Sequence, residues 1–220
     1  MIITLDGPAA SGKSTIARLL ARSLGYYYLY SGLIYRAYAY ILLTEYDFTR
    51  ADLTTITQDD ITVITPDIRY AYTAQEGEKV FWRSIDITQH LTTAQISNAA
   101  SIASTHAFVR NEINTLLQTI AAHHSIIADG RDMGSVVFKD ADYKFYLTAS
   151  LPVRAQRWMD SQLKLGNNYT LQQAHAIIQE RDDRDMGRSC APLHITADAQ
   201  VIDSSALTIE QTLDKLLLYI

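Results

Sequence analysis

Nine consecutive residues near the start of the chain combine glycines, other small side chains, a lysine and three hydroxyl groups. They are Gly7, Pro8, Ala9, Ala10, Ser11, Gly12, Lys13, Ser14 and Thr15. The first eight match the pattern G-x-x-x-x-G-K-[ST], in which small residues let successive backbone N–H groups point at phosphate oxygens. Lys13 can reach β- and γ-phosphates, and the Ser14 hydroxyl can ligate Mg²⁺. The segment therefore predicts a site for a nucleoside triphosphate with Mg²⁺, and it leaves the phosphoryl acceptor open.

The residues on either side give this segment the context that a phosphate-binding loop needs. The apolar run at residues 2–5 predicts a buried strand. After the loop, Ile16, Leu20 and Leu24 recur four residues apart, which predicts one face of a helix that ends at Gly25. The positive end of that helix would face the bound anion, which argues against a chance match in a glycine-rich turn.

A second candidate group follows the next predicted strand, at residues 26–29. It runs from Ser31 to Arg36, where a new helical stretch begins. A cation at Arg36 could bind a second phosphate. The alternative interpretation is an ordinary surface arginine.

The third candidate group follows a buried strand predicted at residues 126–128. Asp129 ends that strand, and Arg131 and Asp132 follow in a glycine-flanked turn. Ligands of open α/β sheets bind beyond the carboxyl ends of the strands, where Asp129 could act on Mg²⁺ through water. The alternative is a plain turn that uses Asp and Gly for their backbone preferences.

The fourth group has three arginines and three aspartates within eight residues, 181–188. One interpretation is a solvated helix end with local ion pairs, each often worth under about 1 kcal/mol. The other is a mobile arginine lid, in which each arginine stabilises charge on a transferring phosphate. The phosphate loop supplies the anion and so favours the lid.

Strand and helix candidates alternate along the rest of the chain. Strands are predicted at residues 126–128, 143–148 and 200–202, and helices at residues 98–117, 151–165, 170–181 and 208–219. This alternation predicts an α/β fold with parallel strands. Residues 61–89 break the pattern, because two alternating runs around a polar turn at Gly77 predict an inserted antiparallel hairpin.

Composition and charge exclude several classes of protein. The 220 residues are 48% hydrophobic with only 9 Gly and 4 Pro, which excludes a disordered or collagen-like chain. The single cysteine, Cys190, excludes an intrachain disulfide. A net charge of −5 disfavours a non-specific nucleic-acid binder. We expect no secretory signal and no membrane span, since no apolar run approaches the required length.

Together these motifs resemble those of bacterial-type cytidylate kinases, in the nucleoside monophosphate kinase group of P-loop kinases. The resemblance runs nearly end to end and is carried by residues 5–8, 31–36, 97–101, 129–134, 180–185 and 191–193. The phosphate loop alone is generic, whereas the last four segments together are specific to this family.

The resemblance implies a P-loop three-layer α/β sandwich with a five-stranded parallel sheet, a helical lid and the hairpin inserted in a monophosphate-binding region. A single kinase unit would comprise a core at residues 1–35, 104–150 and 190–220, a monophosphate-binding region at about 36–103 and a lid at about 151–189. The implied reaction transfers the γ-phosphoryl group of MgATP to CMP or dCMP, giving ADP with CDP or dCDP.

The resemblance also implies roles for residues on the acceptor side. The base would be read by Ser101, Arg110 and Asp132. The sugar and the lid would involve Ser31, Arg181 and Asp185, and the phosphate would be held by Arg36, Arg131 and Arg188. The implied catalytic set is Lys13, Arg131, Arg181 and Arg188. Because a carboxylate accepts from the amino group of cytosine and repels the carbonyl of uracil, Asp132 predicts discrimination between these bases.

Two positions depart from the pattern of this family. Tyr30 stands where many relatives have Asp, and Thr92 stands where many have Arg. The first puts a local polar contact in doubt, and the second removes one cation from the acceptor side. Neither touches the phosphate loop or the base-reading residues, so we expect activity to survive.

Two alternative functions remain open on the sequence. Another P-loop small-molecule or monophosphate kinase would share the loop and the lid, although Ser101, Arg110 and Asp132 as a set argue against it. A guanine-specific switch would need an Asn/Thr-Lys-x-Asp motif, which the sequence lacks. We expect a cytoplasmic monomer that binds CMP, dCMP and ATP, and neither nucleic acid nor membrane.

Overall fold

Five parallel strands form the central sheet in the order β2-β6-β1-β7-β8 in a computed structural model that describes all 220 residues. The strands are β1 (Ile2–Asp6), β2 (Tyr27–Tyr30), β6 (Ile126–Asp129), β7 (Tyr143–Thr148) and β8 (Gln200–Asp203). The strands β1 and β6 pair from Ile2 with Ile126 to Leu5 with Asp129, so both end at the same edge. This edge is therefore where the predicted polar groups meet.

Helices cover the sheet and connect its strands. They are α1 (Lys13–Leu24), α2 (Ser31–Glu45), α3 (Gln58–Thr62), α4 (Ala94–Ala103), α5 (Ala107–Ala121), α6 (Leu151–Lys164), α7 (Leu171–Gly187) and α8 (Ile209–Leu217). All four residues of β6 are buried, as expected for a parallel strand with helices on its faces. No helix has both the length and the hydropathy of a membrane span. The predicted α/β fold is confirmed.

The predicted hairpin is confirmed, and it belongs to a separate antiparallel sheet. The strands are β3 (Ile68–Thr73), β4 (Gly77–Trp82) and β5 (Ile85–Asp86), of which the sequence did not predict the last. The Tyr70 hydroxyl donates to the Tyr28 carbonyl at 2.9 Å and accepts from the Tyr30 N–H at 3.1 Å. The insertion is thus fixed to the outer edge of β2.

The helix predicted at residues 98–117 is wrong as one element, because α4 and α5 are separated at Ser104–His106. The Ser104 hydroxyl donates to the Ser101 carbonyl at 2.9 Å, and the Thr105 hydroxyl donates to the Ile102 carbonyl at 2.7 Å. Such hydroxyls compete for helical carbonyls and favour an end to the helix. The break leaves the Ser104 carbonyl free to accept from the Arg110 guanidinium at 3.3 Å.

The helix α7 continues six residues beyond the end predicted near Arg181, to Gly187. A capping box of Thr170 and Gln173 opens it, and α6 packs along it. The arginine and aspartate cluster is therefore helical up to Gly187. Its side chains project at helical spacing, and only Arg188 follows the helix.

Candidate functional site

A single cleft of about 880 Å³ lies between the phosphate loop, α2, α4, α6 and α7. It is lined by every residue that the sequence analysis placed in a nucleotide, metal or catalytic site except Gly7 and Pro8, which lie at the base of the loop. Eight basic and four acidic side chains line it, so its interior favours anions.

The backbone of the phosphate loop adopts conformations that explain its small residues. Gly7 has φ +144°, and a Cβ there would lie 2.1 Å from the Leu147 carbonyl oxygen, so no other residue fits. Gly12 and Ala10 are left-handed, with φ of +96° and +57°. The helix α1 begins directly at Lys13, which leaves its first N–H groups available to an anion.

The Lys13 ammonium lies inside this loop. It donates to the Pro8 carbonyl at 2.7 Å and to the Ser11 hydroxyl at 3.2 Å. Burial, and then the nearby charge of Arg131, hold the pKa of Lys13 well below its usual value. A phosphate group in the loop would supply the negative charge that this cation lacks.

Two buried carboxylates close the base of the site. Asp6 accepts from the Met133 and Gly134 N–H groups at 2.9 and 2.8 Å, and burial raises its pKa to about 6. Asp129 accepts from the Tyr28 hydroxyl at 3.0 Å and lines the cleft. These contacts fix the turn that follows β6.

The donor set fits a magnesium ion that is held mostly by substrate. No cluster of three or more His, Cys, Asp or Glu side chains is arranged to hold a metal. Mg²⁺ in nucleotide sites typically takes one or two protein oxygens and completes its shell with phosphate and water. The Ser14 hydroxyl and the Asp129 carboxylate, which both line the cleft, match that pattern.

The acceptor side is a network of alternating buried charges. Arg110 and Asp132 form an ion pair in which each side chain is 2% exposed. Arg131 donates to Asp185 at 2.9 Å. Arg188 lies 3.6 Å from Asp185 and 3.8 Å from Asp132, so it connects the two pairs. Burial acts to raise the pKa of Asp185, but Arg131, Arg181 and Arg188 outweigh it and hold that pKa below its usual value.

Several cationic atoms of this network have no hydrogen-bond partner within the protein. They are Arg110 Nε, Arg181 Nε and Arg188 Nη2. Burial, and then the charge of Arg131, lower the pKa of Arg181 to about 10. Buried donors without partners are uncommon, and here they face a cleft that would bind an anionic ligand.

Ser31 and Arg36 take different positions at the same cleft. The Ser31 hydroxyl donates to the Asp129 carbonyl at 2.7 Å, which ties α2 to the end of β6. The Arg36 guanidinium lies 5.6 Å from the centre of the Tyr30 ring. The Tyr30 ring and the Arg36 guanidinium thus form a cation–π contact at the acceptor side.

Arg184, predicted from the sequence only as one arginine of the lid, connects α7 with α4. Arg184 donates to the Ser101 hydroxyl at 2.8 Å and lies 3.4 Å from the Asn98 side-chain oxygen. One turn earlier, Arg181 donates to the Ser97 hydroxyl at 3.0 Å. Because Ser101 accepts from Arg184, its own proton is free to be donated into the cleft. The spacing of Arg181 and Arg184 would have indicated a helix face directed at α4, had the predicted helix continued past Arg181.

A buried ion pair that was not predicted from the sequence holds the phosphate loop. Asp182 accepts from the Ala9 N–H at 2.9 Å, and Arg154 donates to the Ala9 carbonyl at 3.1 Å while pairing with Asp182. The two helices α6 and α7 are thereby both hydrogen-bonded to the backbone of Ala9 in the loop. No sequence signal connects Ala9 with a residue 173 positions later.

We expect the free energy of unfolding of the Arg154→Met variant to be about 3–5 kcal/mol lower than that of the original chain, because the substitution leaves Asp182 buried without its cation. Urea denaturation measures this free energy. Arg83→Met is a matched control, since its pair with Asp67 is 60% and 43% exposed and should change stability by less than about 1 kcal/mol. Equal changes in both variants would contradict the role given to Arg154.

Comparison with known proteins decides the family. A family model described as "Cytidylate kinase" matches residues 3–220. The chain belongs to the cytidylate kinase family. "Cytidylate kinase 1" of Haemophilus influenzae is 38% identical over 221 residues, covering 100% of this chain and 93% of that protein. The "Cytidylate kinase" of Thermodesulfovibrio yellowstonii is 34% identical over 212 residues, covering 96% and 94%.

Similarity to solved structures adds support for the fold alone. The match to the crystal structure of an uncharacterized protein from Eubacterium ventriosum covers 100% of this chain and 98% of that protein's chain, with a TM-score of 0.54 and 12% identity.

Membership of the cytidylate kinase family confirms the predicted ATP-dependent phosphotransferase and its nucleoside monophosphate kinase activity on CMP or dCMP. The alternative of a nucleotide-dependent switch is thereby excluded.

Proposed function

We propose that this member of the cytidylate kinase family carries out transfer from MgATP to CMP or dCMP inside the described cleft, with the residue roles given below. The observation that carries these roles is the buried Arg110–Asp132 pair. It presents a fixed carboxylate and a fixed guanidinium side by side at the cleft wall. Cytosine has a matching amino donor next to ring acceptors.

The donor triphosphate would occupy the phosphate loop, residues 7–15. Its β- and γ-phosphates would accept from the loop N–H groups and from Lys13, whose ammonium already lies there. Ser14 would hold Mg²⁺, with Asp129 reaching the ion through water. The ion, when bound, supplies neutralisation of phosphate charge.

The acceptor would lie along the network of buried charges. Its phosphate would be held by Arg36, Arg131 and Arg188, each of which lines the cleft. Its sugar would contact Ser31, Arg181 and Asp185. Its base would be read by Ser101, Arg110 and Asp132, with the Ser101 proton directed at the base because Arg184 occupies its oxygen.

No strong general base is needed for this transfer, because the attacking phosphate oxygen is already anionic near neutral pH. The difficulty is to bring two anions together in line. Lys13, Arg131, Arg181 and Arg188 would offset that repulsion. We place the lid at residues 151–189 and the acceptor region at residues 36–103, and the contacts of Arg181 and Arg184 with α4 join the two. Their closure would exclude water as a competing acceptor.

We also propose that the reaction occurs in the cytoplasm, where free nucleotides are metabolised, and that the chain acts as a monomer. A monomer suffices because one chain carries every residue of the proposed site. A coupled assay of ADP release with CMP, dCMP, UMP and AMP tests the acceptor directly. We expect CMP and dCMP to be preferred.

We expect the Asp132→Asn variant to narrow the preference for CMP over UMP by at least about tenfold, which equals 1.4 kcal/mol. The amide is a weaker acceptor for the amino group of cytosine, and its own amino group can donate to the carbonyl of uracil. Asn is a better choice than Ala, because Ala would leave Arg110 buried without any polar partner at that position. The measurement is kcat/KM for both nucleotides on one preparation.

Asp183→Asn is the matched control for this change, since Asp183 is exposed on α7 and should leave both values unchanged. Equal losses for CMP and UMP in the Asp132 variant would contradict a base-reading role. The discrimination would then rest on Ser101 and Arg110.

A further inference from the structure

Tyr35 is a buried residue of the cleft that has no assigned role. It is 8% exposed, it lies on α2 one residue before Arg36, and it lines the cleft. Its hydroxyl has no hydrogen-bond partner within the protein. A buried hydroxyl without a partner destabilises the free protein, so its retention calls for a partner of another kind.

Three other buried tyrosines have hydrogen-bond partners for their hydroxyls, unlike Tyr35. Tyr28 donates to Asp129, Tyr38 bonds to Thr65, and Tyr70 bonds to backbone groups of β2. The Tyr72 hydroxyl is also unpartnered, but it lies outside this cleft. Tyr35 is thus the one tyrosine of the cleft whose buried hydroxyl lacks a partner.

The groups around the Tyr35 hydroxyl belong to the proposed base-reading end of the acceptor site. The Arg110 guanidinium lies 5.3 Å from the centre of the Tyr35 ring. The charged or titratable groups that face the hydroxyl are Arg110, Asp132, Arg188 and Cys190. Arg110 Nε and Arg188 Nη2, which also lack hydrogen-bond partners, belong to the same cluster. Three buried polar atoms without a hydrogen-bond partner therefore belong to one cluster of the cleft, where a ligand could supply the missing bonds.

Burial raises the pKa of the Tyr35 hydroxyl far above its usual value, so the group keeps its proton at every working pH. A protonated phenol in this position is a hydrogen-bond donor. Cytosine presents two acceptors beyond the amino group that Asp132 would bind, namely the O2 carbonyl and the ring N3.

We propose that the Tyr35 hydroxyl is a substrate-binding group that donates a hydrogen bond to O2 or N3 of the acceptor pyrimidine. The proposal deepens the proposed function and rests on it. It adds a fourth base contact to Ser101, Arg110 and Asp132, supplied by α2.

The Tyr35→Phe variant tests this proposal, because it removes one oxygen and keeps the ring beneath Arg110. We expect kcat/KM for CMP to fall roughly 3- to 10-fold, mostly through KM, as for one neutral hydrogen bond. An equal fall with UMP would assign the contact to O2, which both bases share. A larger fall with CMP would assign it to N3, which in uracil is a donor.

Thermal unfolding gives an independent readout. The Tyr35→Phe protein should melt at or above the temperature of the original chain without ligand, because it loses an unsatisfied hydroxyl. The rise in melting temperature on adding CMP should be smaller in the variant. Tyr38→Phe is the matched control, since it removes a satisfied hydroxyl from the same helix outside the cleft. It should lower the melting temperature and leave the CMP response unchanged.

The result that overturns the proposal is a Tyr35→Phe protein with an unchanged KM for CMP and an unchanged CMP-induced shift. If the original chain itself shows neither CMP-dependent ADP release nor a CMP-induced shift, the proposed function fails and the role of Tyr35 fails with it. The behaviour of the original chain therefore separates the two failures.

Discussion

The Lys13→Ala variant should lose phosphoryl transfer almost completely, with kcat reduced by roughly 10²- to 10³-fold or more. Lys13 is the cation that lies inside the phosphate loop, bonded to the Pro8 carbonyl at 2.7 Å. Arg154 and Arg157 also donate to carbonyls of the loop, but Arg154 is paired with Asp182 and Arg157 is bonded to Ser204, so neither replaces Lys13. A coupled assay at saturating ATP and CMP measures the loss.

The fold should survive this substitution. The buried ammonium is an unfavourable charge in the free protein, as the direction of its pKa shift indicates, so its removal should leave the unfolding temperature unchanged or higher. Lys79→Ala is a suitable control, because Lys79 lies on the inserted hairpin and pairs only with Glu76. A purified Lys13→Ala protein with near-normal turnover would show that the triphosphate binds elsewhere.

The Arg188→Ala variant should lower kcat by more than about 100-fold, because a positioned cation in a dry site stabilises the charge of the transferring group. Arg188 is well placed for this role. Its Nε donates to the Ala191 carbonyl at 2.6 Å, which fixes the side chain, and its Nη2 remains without a hydrogen-bond partner. Asp132 and Asp185 keep their bonds to Arg110 and Arg131, so the network should remain paired.

Separate values of kcat and KM decide how Arg188 acts. A loss confined to KM for ATP would make Arg188 a contact of the ground state, contrary to this prediction. Arg188→Lys should recover only part of the activity, because a lysine keeps the charge and loses the planar fork. Arg22→Ala, at an exposed position of α1, should behave like the original chain.

The parts of the fold that the sequence predicted are those with local causes. The phosphate loop, the helix after it and the hairpin around Gly77 are each specified by residues within about ten positions. The break between α4 and α5 also has a local cause, in the hydroxyls of Ser104 and Thr105. It was missed because these residues are also compatible with a continuous helix.

The parts of the site that the sequence did not predict depend on contacts between distant segments. The hydrogen bond between Asp182 and Ala9 joins residues 173 positions apart in the sequence, and the bond from Arg184 to Ser101 joins residues 83 positions apart. No pattern within one segment records such a pairing. The role of Tyr35 was missed for a related reason, since a tyrosine in an apolar helix normally indicates packing, and only the structure shows its hydroxyl without a partner.

The bonds between Tyr70 and the outer strand β2 have a consequence for the behaviour of the whole chain. A parallel sheet with an open edge can recruit strands from other molecules, and aggregation begins there. On β2 one side chain occupies both the Tyr28 carbonyl and the Tyr30 N–H, so the inserted hairpin shields this edge. The insertion is thus a protective element of the folding unit, and a chain trimmed of it would expose a template for self-association.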